Sequence, residues 1–472
     1  MQDFRLLLLH GLALVGVVFV GCRAPRRQCS PVCKVATATA APVQFDSIPC
    51  AFETSPSAED LTGPTRVEEY IAIAVAQNPD IQAARHHVAA MTYRVPQATS
   101  LQDPLLNVMV PLEQVQTAAG AQELALSASQ KIPWHSKLHV RGQVARSEVR
   151  AARANLAVVE LEVVEQVKRA YFELYYLQFA GDVTRRSRES LVTIWNTAKA
   201  RFEGEASAQD VLRVQVQIMQ LDAKLVQLDQ QRASTQTKLA RLMQVAPDTV
   251  LATVDDLPPE QVVFDLERLY SQAVSMRPEL RAQLAVVTRD RQSVELARME
   301  YLPDPTFSAT WIDTSNSGLS PVANGRDTLL LGVGVNLPIN RHRLRAGLRE
   351  AQSQAMASSR QHDSLRDKTL ESVRDLFLQA QSQRETLKLF RENIVPTAER
   401  TLRVSIPAYK VGDIDIGQLL DNWQQVLTVR LAEKRSDSEL RQTLASLERV
   451  VGGPFETTAH PDSFPLPEPA VE

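Results

Sequence analysis

Apolar residues in this chain follow two rhythms, and the same succession of rhythms is written twice, about 200 residues apart, the mark of one unit duplicated and fused. From Val67 to Ser100 the pattern is helical, with Pro79 early in a helix, where its missing N–H matters least. Asp103-Pro104 then breaks the helix. Beyond it Leu106, Val108 and Val110 alternate with Asn107 and Met109. After a Gly/Ala/Gln linker, Leu124, Leu126 and Ala128 alternate with Ala125, Ser127 and Ser129. That period of two predicts two strands, stopped at Ile132-Pro133. Next, Val149, Ala152, Leu156, Val159, Val163, Val167, Ala170, Leu174 and Leu177 step by threes and fours, and no proline occurs from Trp134 to Gly204. A helix of that length spans roughly 100 Å. The chain turns at Phe202-Glu203-Gly204. It returns through Val211, Val214, Ile218, Leu221, Leu225 and Leu228, the seam of an antiparallel helical hairpin.

The second copy repeats each mark. Leu266 opens it, Arg277-Pro278 matches Asn78-Pro79, Asp304-Pro305 matches Asp103-Pro104, and Leu337-Pro338 matches Ile132-Pro133. Phe307, Ala309 and Trp311 alternate with Ser308 and Thr310. Leu329, Leu331, Val333, Val335 and Leu337 share one face, with Gly332, Gly334 and Asn336 on the other. A second long helix runs from about Arg341 to Val411, with Pro396 as its one expected kink, and ends at Tyr409-Lys410-Val411-Gly412. Leu420, Trp423, Leu427, Leu431, Leu440, Leu444 and Leu447 form the returning seam.

The last strand, about nine to ten residues long, is apolar on one side and small or polar on the other, which suits a tilted transmembrane β-strand; soluble hairpins on a helical core are the alternative. Four strands cannot close a membrane barrel, so strands in a bilayer require several chains to share one.

Composition agrees with long helices: aromatics are 5%, and Lys+Arg of 52 against Asp+Glu of 55 leaves a net charge of -3. No basic patch supports nucleic-acid binding. The expected organisation is a signal peptide over 1–21, a flexible lipidated leader over 22–64, a first repeat over 65–246 and a linker over 247–264. A second repeat over 265–452 and a Pro-rich disordered tail over 453–472 complete it. Phe19-Val20-Gly21-Cys22 resembles a bacterial lipobox, making Cys22 the candidate lipidation site, with ordinary signal cleavage as the alternative. Cys29 and Cys33 are spaced for a disulfide or for two metal ligands without a third and fourth; Cys50 stands apart.

No catalytic motif is present: there is no G-x-S-x-G, P-loop or H-E-x-x-H, and no enzyme activity, cofactor or metal site is expected. His86 and His87 are adjacent and diverge on a helix. His135 and His139, one turn apart, read as a metal pair or as a polar belt at a membrane edge.

With these marks in order, the chain resembles the outer-membrane efflux protein family, the TolC-like channels, over about Val67 to Gly452. Asn78-Pro79 and the Pro133-Trp134 ending are most similar to cation-efflux outer-membrane subunits. The resemblance implies a mainly α fold with a small β part. The duplicated helix-strand-strand-helix units build a long antiparallel α-helical barrel and, in a homotrimer, a shared transmembrane β-barrel. It implies a passive duct in the bacterial outer membrane, lipid-anchored and extending into the periplasm. That duct carries small solutes, metal cations or drugs, from a periplasmic adaptor and an inner-membrane pump. A periplasmic coiled-coil scaffold or adaptor lipoprotein is the alternative. Phe202, Glu203, Gly204, Val411, Gly412 and Asp413 correspond to the adaptor-binding tips. Asp210, Tyr409, Gln418 and Asp421 correspond to a gate. Gln418 stands where the family's channel often has an acid, and Ile414 where a gate-tying arginine is found, so the resemblance implies a weakly latched gate. Asp210 and Asp421 also read as ordinary helix N-terminal acids.

Overall fold

In the computed structural model the described residues are 63–113, 115–202, 208–255, 257–258 and 265–454. The signal segment, Cys22, Cys29, Cys33, Cys50, tip residues Glu203 and Gly204, and the tail beyond 454 lie outside them.

The first repeat opens with β1 (Pro64–Thr65), α1 (Val67–Gln77) and α2 (Pro79–Thr99). The helical stretch from Val67 to Ser100 is two helices with Pro79 opening the second, because Asn78 leaves the helical region and its side-chain oxygen accepts from the Asp80 N–H, capping α2 ahead of Pro79. Strands β2 (Leu105–Met109), β3 (Gln116–Thr117) and β4 (Gly120–Lys131) follow, then α3 (His135–Phe202), a single helix of 68 residues. It returns as α4 (Ala208–Met243), which buries Val214, Leu221 and Leu228, one per heptad, as the seam predicts. Strand β5 (Ala252–Thr253) lies in the expected linker and pairs in parallel with β1.

The second repeat runs α5 (Leu266–Met276), α6 (Pro278–Met299), β6 (Pro305–Thr314), β7 (Thr328–Val335) and α7 (Arg341–Leu389). A π-helical turn, Phe390–Ile394, α8 (Val395–Val411) and α9 (Ile416–Val451) complete it. Pro396 does not end the long helix. Having no N–H to return to the carbonyl one turn back, it is accommodated by one wider turn, in which Val395 N–H donates to Phe390 O. Nor is it the only proline: Pro407 lies inside α8. Strand β7 stops two residues short of the expected Leu337, since Asn336 turns its side chain to accept from the Asp304 N–H.

Helix α3 is the centre of the helical packing. It lies against α2, α4, α6 and α9, so the first repeat's long helix carries both its own hairpin and the second repeat. One core joins Tyr70, Ile81, Val167, Tyr171, Leu174, Leu239 and Met243. Polar contacts stitch α3 to α9: Arg449 reaches Glu162 at 3.1 Å, Arg435 reaches Glu173 at 2.7 Å, and Ser438 donates to Phe172 O at 2.7 Å.

Candidate functional site

The sheet orders its strands β2-β4-β6-β7, all antiparallel, with β3 beside β4. Residues directly opposite across a ladder share a face. The register therefore aligns Leu106 with Ala128, Ala309 and Leu331, and Val108 with Leu126, Trp311 and Leu329. One face is thus apolar across all four strands. The other is mixed: it carries Asn107, Ser127, Thr310 and Leu330, with Leu105, Ser129, Ser308 and Gly332 in the next row. On the apolar face Leu106, Val108, Phe307, Leu329, Leu331 and Val333 are exposed, and β2 and β7 are open edges. This is the two-sided pattern of a wall between lipid and water.

At the base of the sheet Lys137, the third residue of α3 and only 1% exposed, donates to Asp304 Oδ1 at 2.7 Å and to Leu302 O at 2.8 Å. Lys131 approaches the other Asp304 oxygen at 3.3 Å. A buried ammonium is tolerated there because a carboxylate and a carbonyl meet it directly. His139 hydrogen-bonds Gln143 at 2.9 Å, and the described residues contain no group of three or more His, Cys, Asp or Glu side chains placed to hold a metal.

At the opposite ends of the long helices Val183, Leu191, Val214, Tyr409, Ile416 and Trp423 form a second core. Gly412 closes α8 with φ +91°, and Asp413 N–H donates to Ala408 O at 2.9 Å. That left-handed turn needs glycine. Val411 and Asp413 beside it are exposed. Phe202 is the last residue of α3. Asp415 caps α9 by accepting from Gln418 N–H at 2.8 Å. Gln418 and Asp421, one turn apart, are both exposed. Asp421 lines an open groove between α4 and α9 with Gln209, Leu212, Arg213, Gly417 and Gln424. Asp210 is half-buried in the first turn of α4, and Tyr409 is buried in the tip core. The structure therefore puts Gln418 and Asp421 on one surface and Tyr409 in another environment. Ile414 packs against the tip core, and Arg213 is the basic residue beside Asp421. No sequence mark had pointed to Arg213; its signal is its place at the start of the returning seam.

Further back, the β1–β5 ribbon is fixed to α3 through Tyr171, whose hydroxyl donates to Thr65 O at 3.0 Å and accepts from Val254 N–H at 3.4 Å. Burial pushes this phenol up to about 12.

The family model described as outer membrane efflux protein matches residues 70–244 and 269–453, one match per repeat. Among solved structures the chain is similar to the outer-membrane channel OprN, with 17% identity over 89% of this chain and 99% of that one, TM-score 0.71. It is similar to CusC, with 16% identity over 83% and 92%, TM-score 0.71, and to the outer membrane protein VceC of Vibrio cholerae, with 19% identity over 83% and 97%, TM-score 0.69. No curated protein sequence matches significantly.

Proposed function

We propose that this chain, which belongs to the outer membrane efflux protein family, works as a homotrimer in which three copies share one barrel and one passive export duct. Members of the family are channels of tripartite efflux systems, not enzymes, and lie in the outer membrane with a periplasmic extension. The observation that carries the trimeric reading is the four-stranded sheet, apolar on one face, mixed on the other, where Asn107, Ser127, Ser308, Thr310 and Gly332 stand among Leu105, Met109 and Leu330, and open at both edges. Backbone groups on an open edge cannot stay unpaired in hydrocarbon, and four strands are too few to close.

The helices favour the same reading. Helices α4 and α9 are equivalent in the two repeats and each has 36 residues. On α9, Leu420 and Leu427 are buried; the equivalent residues on α4, Leu212 and Met219, are exposed, as is Val226 below them. An apolar stripe at helical spacing, covered in one repeat and bare in the other, fits a second copy packed against α4.

In this reading the mixed sheet face lines a water-filled lumen. Solutes, metal cations or drugs, enter from an inner-membrane pump through a periplasmic adaptor docked at the tips around Phe202, Glu203, Gly204, Val411, Gly412 and Asp413. Asp421 and Gln418 sit at the mouth, with Asp210 and Tyr409 holding the tip helices, and Cys22 carries a lipid anchor. A four-stranded sheet with one exposed apolar face supports a duct over a coiled-coil scaffold, which has no use for it. Purified protein in planar bilayers tests it: discrete conductance steps are expected, and a bilayer that stays silent while the protein inserts would refute the duct.

A further inference from the structure

The internal ion pair Lys137–Asp304 has a counterpart pair of positions in the duplicated unit, which form no ion pair with one another among the described residues. Lys137 stands on the helix after β4 and reaches the aspartate that precedes the neighbouring strand β6. In the second repeat the matching helix is α7, which follows β7. Matching α3 to α7 by their buried positions pairs Ala145 with Ala351, Val149 with Ala355 and Ala152 with Ser358, residues covered or half-covered in both. The same spacing pairs Lys137 with Arg343, each the third residue of its helix. The matching aspartate is Asp103, which precedes β2 in the same Asp-Pro step that Asp304 makes before β6. Both Arg343 and Asp103 are exposed, and among the described residues neither side chain forms an ion pair. They lie at the two open edges of the sheet, β7 and β2.

The surrounding helices repeat this asymmetry. Helices α3 and α6 pack extensively, whereas the equivalent pair, α7 and α2, has no packing of that extent among the described residues. On α3, Ser147 donates to Gln292 of α6 at 2.6 Å; its match on α7, Ser353, is exposed, as is Met356 further along.

We infer that Arg343 of one copy pairs with Asp103 of the next copy, reproducing between subunits the buried Lys137–Asp304 contact and fixing the register at which β7 meets the neighbour's β2. This rests on the trimeric reading above and names the contact that closes the ring. A heterologous contact of this kind joins the leading edge of each subunit to the trailing edge of the next, as a closed ring demands. Desolvated on assembly, the pair discriminates against a slipped register, since a one-residue slip would strand two buried charges.

Charge exchange on the full chain in mild detergent tests it, read as the rate at which the oligomer dissociates on heating. Asp103→Arg and Arg343→Asp should each speed dissociation by roughly tenfold or more, and the double exchange should return it towards the parent rate. The neutral variants Asp103→Asn and Arg343→Gln, which leave the monomer surface uncrowded by like charges, should show the same direction. An oligomeric parent whose four single variants all dissociate at the parent rate would overturn the pair alone. A parent that is monomeric would overturn the ring and the pair together.

Discussion

Asn78 Nδ2 donates to the carbonyl of Leu242 at 2.9 Å, joining the elbow between α1 and α2 to the last turn of α4, 164 residues later. Its Oδ1 meanwhile accepts from the Asp80 N–H at 2.9 Å, and the residue is buried. One side chain thus caps the start of one helix and satisfies a carbonyl at the end of another. Asn78→Ala removes both contacts, and a loss of about 2 kcal/mol is expected. Thermal unfolding followed by circular dichroism would register it as a lower midpoint. Asn78→Asp should recover the cap but not the donation to Leu242, and fall between.

The second repeat solves the same elbow differently. Arg277 replaces Asn78, provides no cap, and donates instead to Thr369 Oγ1 at 2.8 Å. The end of α9 is held by close approach: a Cβ on Gly452 would lie 2.8 Å from the Arg277 nitrogen, and its φ is +94°. The matching residue at the end of α4 is Gln244, at φ 56° without being glycine. Gln244→Gly should therefore raise the unfolding midpoint, by a gain on the order of 1 kcal/mol.

Removing one member of the Lys137–Asp304 pair leaves the other buried without its counter-charge. Lys137→Met is expected to cost about 3 kcal/mol or more, whereas Lys137→Met with Asp304→Leu should recover much of it. Parallel unfolding curves of the three proteins check this. A double variant as unstable as the single would mean that the polar contacts of Asp304 with Lys131 and the backbone matter more than the pair.

Tyr171 gives the fold an alkaline limit. Burial raises its phenol from 10.0 to about 12, so the folded state favours the neutral form. That contribution is complete below pH 10 and is lost as pH climbs from 10 towards 12. Tyr171→Phe should be less stable at neutral pH, through loss of the bonds to Thr65 and Val254, and should show a smaller decline over that window. Stability measured against pH for both proteins separates the two effects.

Much of this architecture is written in side-chain periodicity. The heptad of Val214, Leu221 and Leu228, the alternation of Phe307, Ala309 and Trp311, and the uninterrupted run of α3 each repeat often enough to be read without a partner. What stays hidden depends on residues far away in the chain. Lys137 resembles any solvated lysine at a helix start until Asp304, 167 residues on, is brought beside it. The two-residue strands β1 and β5 have no period at all; their parallel pairing and the distant side chains of Tyr70, Tyr171 and Gln178 define them. Tyr409 looks like a tip residue by position, yet it is buried, a member of the same hydrophobic cluster as Leu191, Ile416 and Trp423. Pro396 marks the place of a distortion, but that the helix widens there and carries on is a backbone response the proline alone does not specify.

The central claim is that three chains share one barrel, and the mass of the intact complex released from a lipid nanodisc tests it most directly. A species of three chains, converting to single chains only on strong denaturation, is the predicted result. A folded, membrane-inserted single chain as the sole species would contradict it.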